Sequence, residues 1–203
     1  MATSNRISSL LFAGAAAFAL SACSDAGGPG SSAFASVKFW RITKSATDTY
    51  PNLPPIEARK QFVRDKYREA AASLKTDAER QVLAASFYMG FSMLNGRAIP
   101  DYCKEMYIDA SDFSKGFKRQ NRRLESALAR VLEAEGVTME EAWNRQKNFA
   151  KSAAKNELMT AGGLSAGSYG VCKKLKEQPY TFLTRAHFAQ EFPQIASALT
   201  AQL

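Results

Sequence analysis

The chain of 203 residues is short of the side chains that most often do chemistry: it has a single histidine, His187, and three cysteines. No two cysteines stand in C-x-x-C spacing and none has a histidine beside it, so zinc, iron–sulfur and thioredoxin-like sites have no ligand set. A lone imidazole next to Phe188, without a Cys or acidic partner at metal spacing, reads as a packing or surface residue. No apolar run reaches the roughly 20 residues that span a bilayer as a helix. Beyond residue 50 no stretch alternates with period two, so strands are not expected, and no internal repeat is visible.

What is present is positive charge. Lys and Arg number 27 against 19 Asp and Glu, a formal net charge of +8 and a pI near 9.5. That excess predicts attraction to anionic partners.

The chain begins with Arg6 and an apolar run from Leu10 to Leu20, closed by Leu20-Ser21-Ala22-Cys23. The run has the length of a signal-peptide core. These four residues resemble the lipobox of bacterial lipoproteins. The resemblance implies that the Cys23 thiol receives a diacylglycerol, that cleavage falls before Cys23, and that the new amino group is acylated. Several acyl chains, each buried CH₂ contributing about 0.8 kcal/mol, give lasting attachment to a membrane. The alternative is an ordinary signal peptide cut near Ser24-Asp25-Ala26, where small residues also occur; it leaves the lipobox match without a role. Ser24 rather than Asp follows Cys23, which in this class implies the outer membrane, facing the periplasm. That compartment argues against nucleic acid as the partner of the basic surface.

With Cys23 assigned to lipid, Cys103 and Cys172 are the remaining pair in an oxidising compartment and are expected to form a disulfide. Closing a loop of about 70 residues stabilises by roughly 4 kcal/mol in the chain-entropy model.

The chain divides into a signal peptide over 1–22, a lipidated N-terminus and tether over 23–50, and one domain over 51–203. Ser24 to Ser36 is rich in Gly, Ser and Ala and reads as a flexible tether reaching roughly 20 Å. Val37 to Ile42 is apolar and aromatic; a strand, a helical turn and a strap on the domain all remain open. Pro51 to Pro55 sets the entry into a first helix over Ile56 to Leu74, with Phe62, Val63, Tyr67 and Leu74 facing inward; the PxxP pattern there reads as a helix start. Thr76-Asp77-Ala78-Glu79 is a capping box that opens a second helix, ending at Leu94 before Asn95-Gly96. Gly90 within it is a candidate for close helix contact. A short helix after Pro100 presents Cys103. Ser111 opens a long helix to Glu135, ended by Gly136. Thr138-Met139-Glu140-Glu141, a second capping box, opens a helix to about Thr160, stopped by Gly162-Gly163. Helices over Ser168–Glu177 and Thr181–Ala189, and one after Pro193, complete the chain. The expected fold is an all-α, disulfide-bridged bundle of about six or seven helices behind a lipid-anchored tether.

Three constellations resemble sites of chemistry. Gly163-Leu164-Ser165-Ala166-Gly167 matches the G-x-S-x-G nucleophile elbow, but a helix precedes it where the elbow needs a strand, and only Glu177 lies between Ser165 and His187. A loop between helices explains it better. Glu125-Ser126 resembles the catalytic Glu-Ser pair of lytic transglycosylases, whose acid protonates a glycosidic oxygen. The family's downstream Gly-Leu-Met-Gln-like stretch is replaced by Ala-Leu-Ala-Arg-Val-Leu, and a solvated Glu beside Arg122 and Arg123 accounts for the residue. Asp101, Glu105, Asp109 and Asp112 lack the spacing of a calcium loop. No catalytic residue, metal or cofactor is therefore expected.

The strongest surface signal is basic. In the helix through Phe113 and Val131, apolar residues at Phe113, Phe117, Leu124, Leu128 and Val131 leave Lys115, Lys118, Arg119, Arg122, Arg123 and Arg130 on other sectors, the first five of them the candidate surface for an anionic partner. Lys147, Lys151 and Lys155 recur at every fourth residue and form a second stripe, and Lys173, Lys174 and Lys176 follow near Cys172. Such stripes either solubilise the protein or meet an acidic envelope protein or anionic envelope polymer. The expected function is a non-catalytic binding or adaptor module on the envelope. An immunity protein against a periplasmic toxin and, further off, a wall-cleaving enzyme are the alternatives.

Overall fold

The computed structural model describes residues 45–201. Cys23, the tether over 24–36 and the segment over 37–42 lie outside the described residues. Among the described residues every regular element is helical, and the fold is an all-α bundle closed by a disulfide.

A short helix over 45–49 precedes α1 (Pro55–Ala72). Residues 45–50 were expected in the tether, yet Ala46 is fully buried and the Tyr50 hydroxyl donates to Asp65 of α1. Proline at the first position of α1 loses nothing, because that amide has no intrahelical acceptor. The apolar side of α1 sets Tyr67 edge-on to Phe87, while Arg59 forks onto Glu157 at 2.7 and 3.0 Å and Lys60 reaches Glu191 at 2.6 Å.

The capping box at Thr76 is present: the Glu79 amide donates to the Thr76 hydroxyl and the Glu79 carboxylate accepts from the Thr76 amide, opening α2 (Asp77–Ser92). The expected stop at Asn95-Gly96 is not there. The chain runs on through a π-helical segment, Met93–Ala98, straight into α3 (Ile99–Glu105). At this junction Pro100 has no N–H to bond the carbonyl of Gly96 four residues back. That carbonyl accepts instead from the Ser114 hydroxyl at 3.0 Å. Gly96 itself lies against Phe117, whose ring carbon would sit 2.9 Å from any Cβ added there. Gly90, expected at a close contact, faces open space.

The long helix expected from Ser111 to Glu135 is two helices, α4 (Ser111–Gln120) and α5 (Arg122–Ala134), broken at Asn121. Asn121 is 1% exposed and its amide is fully used. Nδ2 donates to the carbonyls of Phe117 and Ala186, both at 3.1 Å, and Oδ1 accepts from the Phe188 amide at 3.3 Å. Gly136, at φ +69°, closes the C-terminal turn as expected.

The second capping box opens α6 (Met139–Glu177), and here too the expected stop fails. Gly162-Gly163 lies inside a helix of 39 residues, in which Gly167 takes φ +54°. Each helical glycine costs about 1 kcal/mol relative to alanine. The helix is secured on both sides of them, by buried Ala154 and Leu158 before and by Val171, Cys172 and Leu175 after. The disulfide joins Cys103 of α3 to Cys172 of α6, with Cα atoms 5.4 Å apart and both residues fully buried. The helix expected over Thr181–Ala189 is replaced by α7 (Pro179–Leu183) and α8 (Phe188–Glu191), with the Asn121-bound loop between them. Finally α9 (Pro193–Thr200) lies across α2 and α5.

The core centres on Phe188. Its ring centroid is 5.0 Å from those of Tyr88 and Phe91 and 5.1 Å from that of Phe192. Leu83, Leu128, Ile195 and Leu199 are also buried in this core. Two consequences can be measured by urea unfolding. Replacing both Cys103 and Cys172 with Ala, which opens a loop of 69 residues, is expected to cost about 4 kcal/mol; an unchanged midpoint would show that helix packing alone holds α3 on α6. Asn121→Ala leaves the Ala186 carbonyl and the Phe188 amide without their partner, while the Phe117 carbonyl keeps the residue-121 amide, and is expected to cost about 2 kcal/mol, with Asn121→Asp recovering only part of it.

Candidate functional site

The sequence grouped Lys115, Lys118, Arg119, Arg122 and Arg123 on one basic helix. The break at Asn121 redistributes them. All five are exposed, but Lys115 leans on Asp112 at 3.5 Å. Arg119, Arg122 and Arg123 meet Arg130 around a shallow, open concavity of about 450 Å³, completed by Gln120 and Ser126. The apolar sides of α4 and α5 are buried through Phe113, Phe117, Leu124, Leu128 and Val131, as expected, and this burial turns the arginines outward. Arg130 joins the group through its own position on α5, where its Nε donates to the Ser126 carbonyl at 3.4 Å.

None of these four arginines has a carboxylate partner among the described residues. Many other cations are matched with carboxylates: Arg59 with Glu157, Lys60 with Glu57 and Glu191, Arg68 with Asp65, Arg80 with Asp77, and Arg97 with Glu140. Two of the four sit in the first turn of α5, where the helix macrodipole disfavours cations. The local field at this end of α5 is therefore positive without internal compensation.

Glu125 explains why. It was expected to be solvated beside Arg122 and Arg123, and this is corrected: it turns inward and is only partly exposed. Its Oε1 accepts from the Tyr88 hydroxyl at 2.7 Å and from the Ser92 hydroxyl at 2.5 Å, tying α5 to α2. Tyr88 is fully buried and Ser92 7% exposed. Burial, and then the Glu125 charge, push the Tyr88 phenol well above the usual tyrosine range, so it stays a donor at any physiological pH. This linkage spends the one acidic side chain of the first turn on the interior.

The second expected stripe is not continuous in charge. Lys147 and Lys155 are exposed, but Lys151 is bound to Glu105 at 2.7 Å, a bond that holds its ammonium above the ordinary lysine range. Glu105 is thereby removed from the acidic cluster, Asp109 accepts from the Ser111 amide at 2.9 Å, and Asp112 faces Lys115. Among the described residues no group of three or more His, Cys, Asp or Glu side chains is placed to hold a metal. His187 lies just before α8, where its carbonyl accepts from the Gln190 and Glu191 amides. The Ser165 side chain lies outside the described residues.

Two features had no clear signal in the sequence. Arg97 stacks 4.3 Å from the ring centroid of Trp143 while forking onto Glu140 at 2.8 and 3.1 Å. Tyr107, 99% exposed, holds φ +60° at the end of α3, where its amide donates to Lys104 and the next amide to Cys103. That is the position glycine usually fills in a helix-closing turn.

No protein-family model matches the chain, and no curated protein or solved structure matches it.

Glu125→Ala leaves the Tyr88 and Ser92 hydroxyls without their acceptor and is expected to cost about 2 to 3 kcal/mol in urea unfolding. Glu125→Gln keeps one acceptor oxygen and should cost less than half as much. Equal and small losses in the two variants would mean that the carboxylate is not a structural tie.

Proposed function

We propose that the chain is a lipid-anchored protein of the bacterial envelope whose helical domain faces the periplasm and acts as a non-catalytic binding or adaptor module. The lipobox resemblance at Leu20 to Cys23 supports the anchor, and Ser24 supports the outer membrane as its home. The observation that carries the binding role is the exposed group of Arg119, Arg122, Arg123 and Arg130, left without carboxylates in a protein that matches many of its other cations. Four cations held together at one concavity repel one another, so an anionic partner gains both its own attraction and the relief of that repulsion.

Wall cleavage through Glu125 draws less support. A general acid must present its proton to a substrate oxygen, whereas Glu125 turns toward α2 and accepts from two hydroxyls there. Its bonding fits a structural tie between helices.

The anchor and the partner are tested on the full chain in cells. Mass spectrometry of the N-terminus is expected to find acyl groups on Cys23, and Cys23→Ala is expected to release the protein from membranes. An unmodified Cys23, or a terminus at Ala26, overturns the anchor. In-cell crosslinking followed by purification at low and high salt addresses the module. Recovery of an anionic component that is lost when Arg119, Arg122, Arg123 and Arg130 are changed to Gln supports the binding role. Its unchanged recovery from that variant would move the role off this face, and a toxin among the recovered proteins would establish the immunity reading instead.

A further inference from the structure

We infer that the concavity of Arg119, Arg122, Arg123 and Arg130 binds phosphate groups of anionic lipids, clamping the domain against the membrane surface to which the chain is tethered; this rests on the binding role proposed above. The site is built for an oxyanion and for little else. All four of its cations are arginines, whose planar forks match phosphate bidentately where lysine offers only a point charge. Gln120 and Ser126 complete the lining, and no apolar side chain contributes. A protein partner is ordinarily anchored by a buried aromatic or aliphatic residue. The exposed large apolar residues of the described domain, Leu53, Ile56, Tyr107, Met159, Tyr169 and Tyr180, all lie outside this lining. An acidic protein face would therefore find charge here but no apolar anchor.

The arrangement also suits a surface more than a single small ion. Arg122 to Arg130 span about 12 Å along α5, with Arg119 at the end of α4 beside them, so the arginines meet more than one phosphate side by side. The concavity is shallow and open, which lets headgroups approach without leaving the bilayer. Glu125 cannot compete for the arginines, because Tyr88 and Ser92 hold its carboxylate inside. Glu133, one turn beyond Arg130, makes no ion pair with it. The expected tether of Ser24 to Ser36, reaching roughly 20 Å, keeps the domain close enough to the bilayer for repeated contact. Lipid anchor and headgroup site then act as two attachments, the second fixing which face of the bundle points away from the membrane.

The test removes the acyl chains so that only the arginines report. The chain from residue 23 onward, carrying Cys23→Ser and retaining every described residue, is sedimented with vesicles of phosphatidylcholine alone or of phosphatidylcholine and phosphatidylglycerol in equal parts. Binding is expected only to the vesicles containing phosphatidylglycerol, weakening about fivefold for each arginine changed to Gln and falling with added salt. The Lys147→Gln, Lys155→Gln double variant removes charge elsewhere and is expected to bind like the parent. The arginine variants should keep or raise the thermal midpoint, since two of the lost cations oppose the α5 dipole.

Equal losses in the lysine and arginine variants would reduce the effect to net charge and overturn the site. Binding to soluble polyphosphate without binding to vesicles would keep the phosphate chemistry and overturn the membrane as its source. A protein captured from cells at high salt through the same arginines would replace lipid with an acidic protein face. Loss of the Cys23 acyl groups in native material would overturn the anchor while leaving the vesicle result standing, so the two readings fail separately.

Discussion

The amide side chain of Asn121 is the constraint on which the rest of this bundle depends. It is a buried polar group whose bonds run to three backbone groups. Its bond to Phe117 lies at the end of α4, and its bonds to Ala186 and Phe188 bring a loop some 65 residues away in sequence onto the break. Phe188 is delivered by that loop into the pocket formed by Tyr88, Phe91 and Phe192. The other end of α8 is held from α1, where Lys60 pairs with the Glu191 carboxylate and Arg64 donates to its carbonyl. A buried, fully satisfied amide of this kind specifies one arrangement, because any alternative leaves several polar groups unpaired.

A second junction works by the same accounting. Pro100 leaves the Gly96 carbonyl without its helical donor, Ser114 of α4 supplies one, and the missing Cβ of Gly96 admits Phe117. The disulfide lies three residues after Pro100 and fastens the same stretch to α6. Thus α2, the π-helical segment, α3, α4 and α6 meet where the backbone has departed from ideal helix, and each departure is satisfied by a neighbour. Gly116 repeats the device on the other side of α4, where an added Cβ would collide with Leu183 of α7.

Legibility in the sequence followed the range of the interaction. Both capping boxes, at Thr76 and Thr138, were readable because donor and acceptor lie three residues apart. The Cys103–Cys172 pairing was readable because only those two cysteines remained once Cys23 was set aside. The failures are helix boundaries decided by distant groups. Asn95-Gly96 reads as a terminator until the Ser114 hydroxyl is seen to donate to the Gly96 carbonyl. Gly162-Gly163 reads as a stop until the flanking halves of α6 are both packed, and Asn121 reads as an ordinary helix residue until Ala186 and Phe188 are placed beside it. At the basic face the residues were visible, Arg130 among them, but which of them share one concavity, and Lys151's neutralisation by Glu105, needed three dimensions. Glu125 was misplaced outright, since its partners Tyr88 and Ser92 lie 37 and 33 residues away.

The formal net charge of +8 therefore understates how unevenly charge is distributed. On α1 the cations are interleaved with Glu57, Asp65 and Glu69, and Glu157 and Glu191 from other helices pair with Arg59 and Lys60. On α5 the acidic residue that would play the same part is Glu125, and the core claims it. A carboxylate one turn from Arg122 gains modestly from an exposed ion pair, of order a few tenths of a kcal/mol, and more from two hydroxyl donors in a partly buried site, since hydrogen bonds to charged groups are worth about 1.5 to 3 kcal/mol. The inward choice is thus the favourable one for folding, and its by-product is a cluster of four uncompensated arginines on the surface. Stability of the α2–α5 contact and the anion affinity of the outer face are consequently two readouts of the same side chain's orientation.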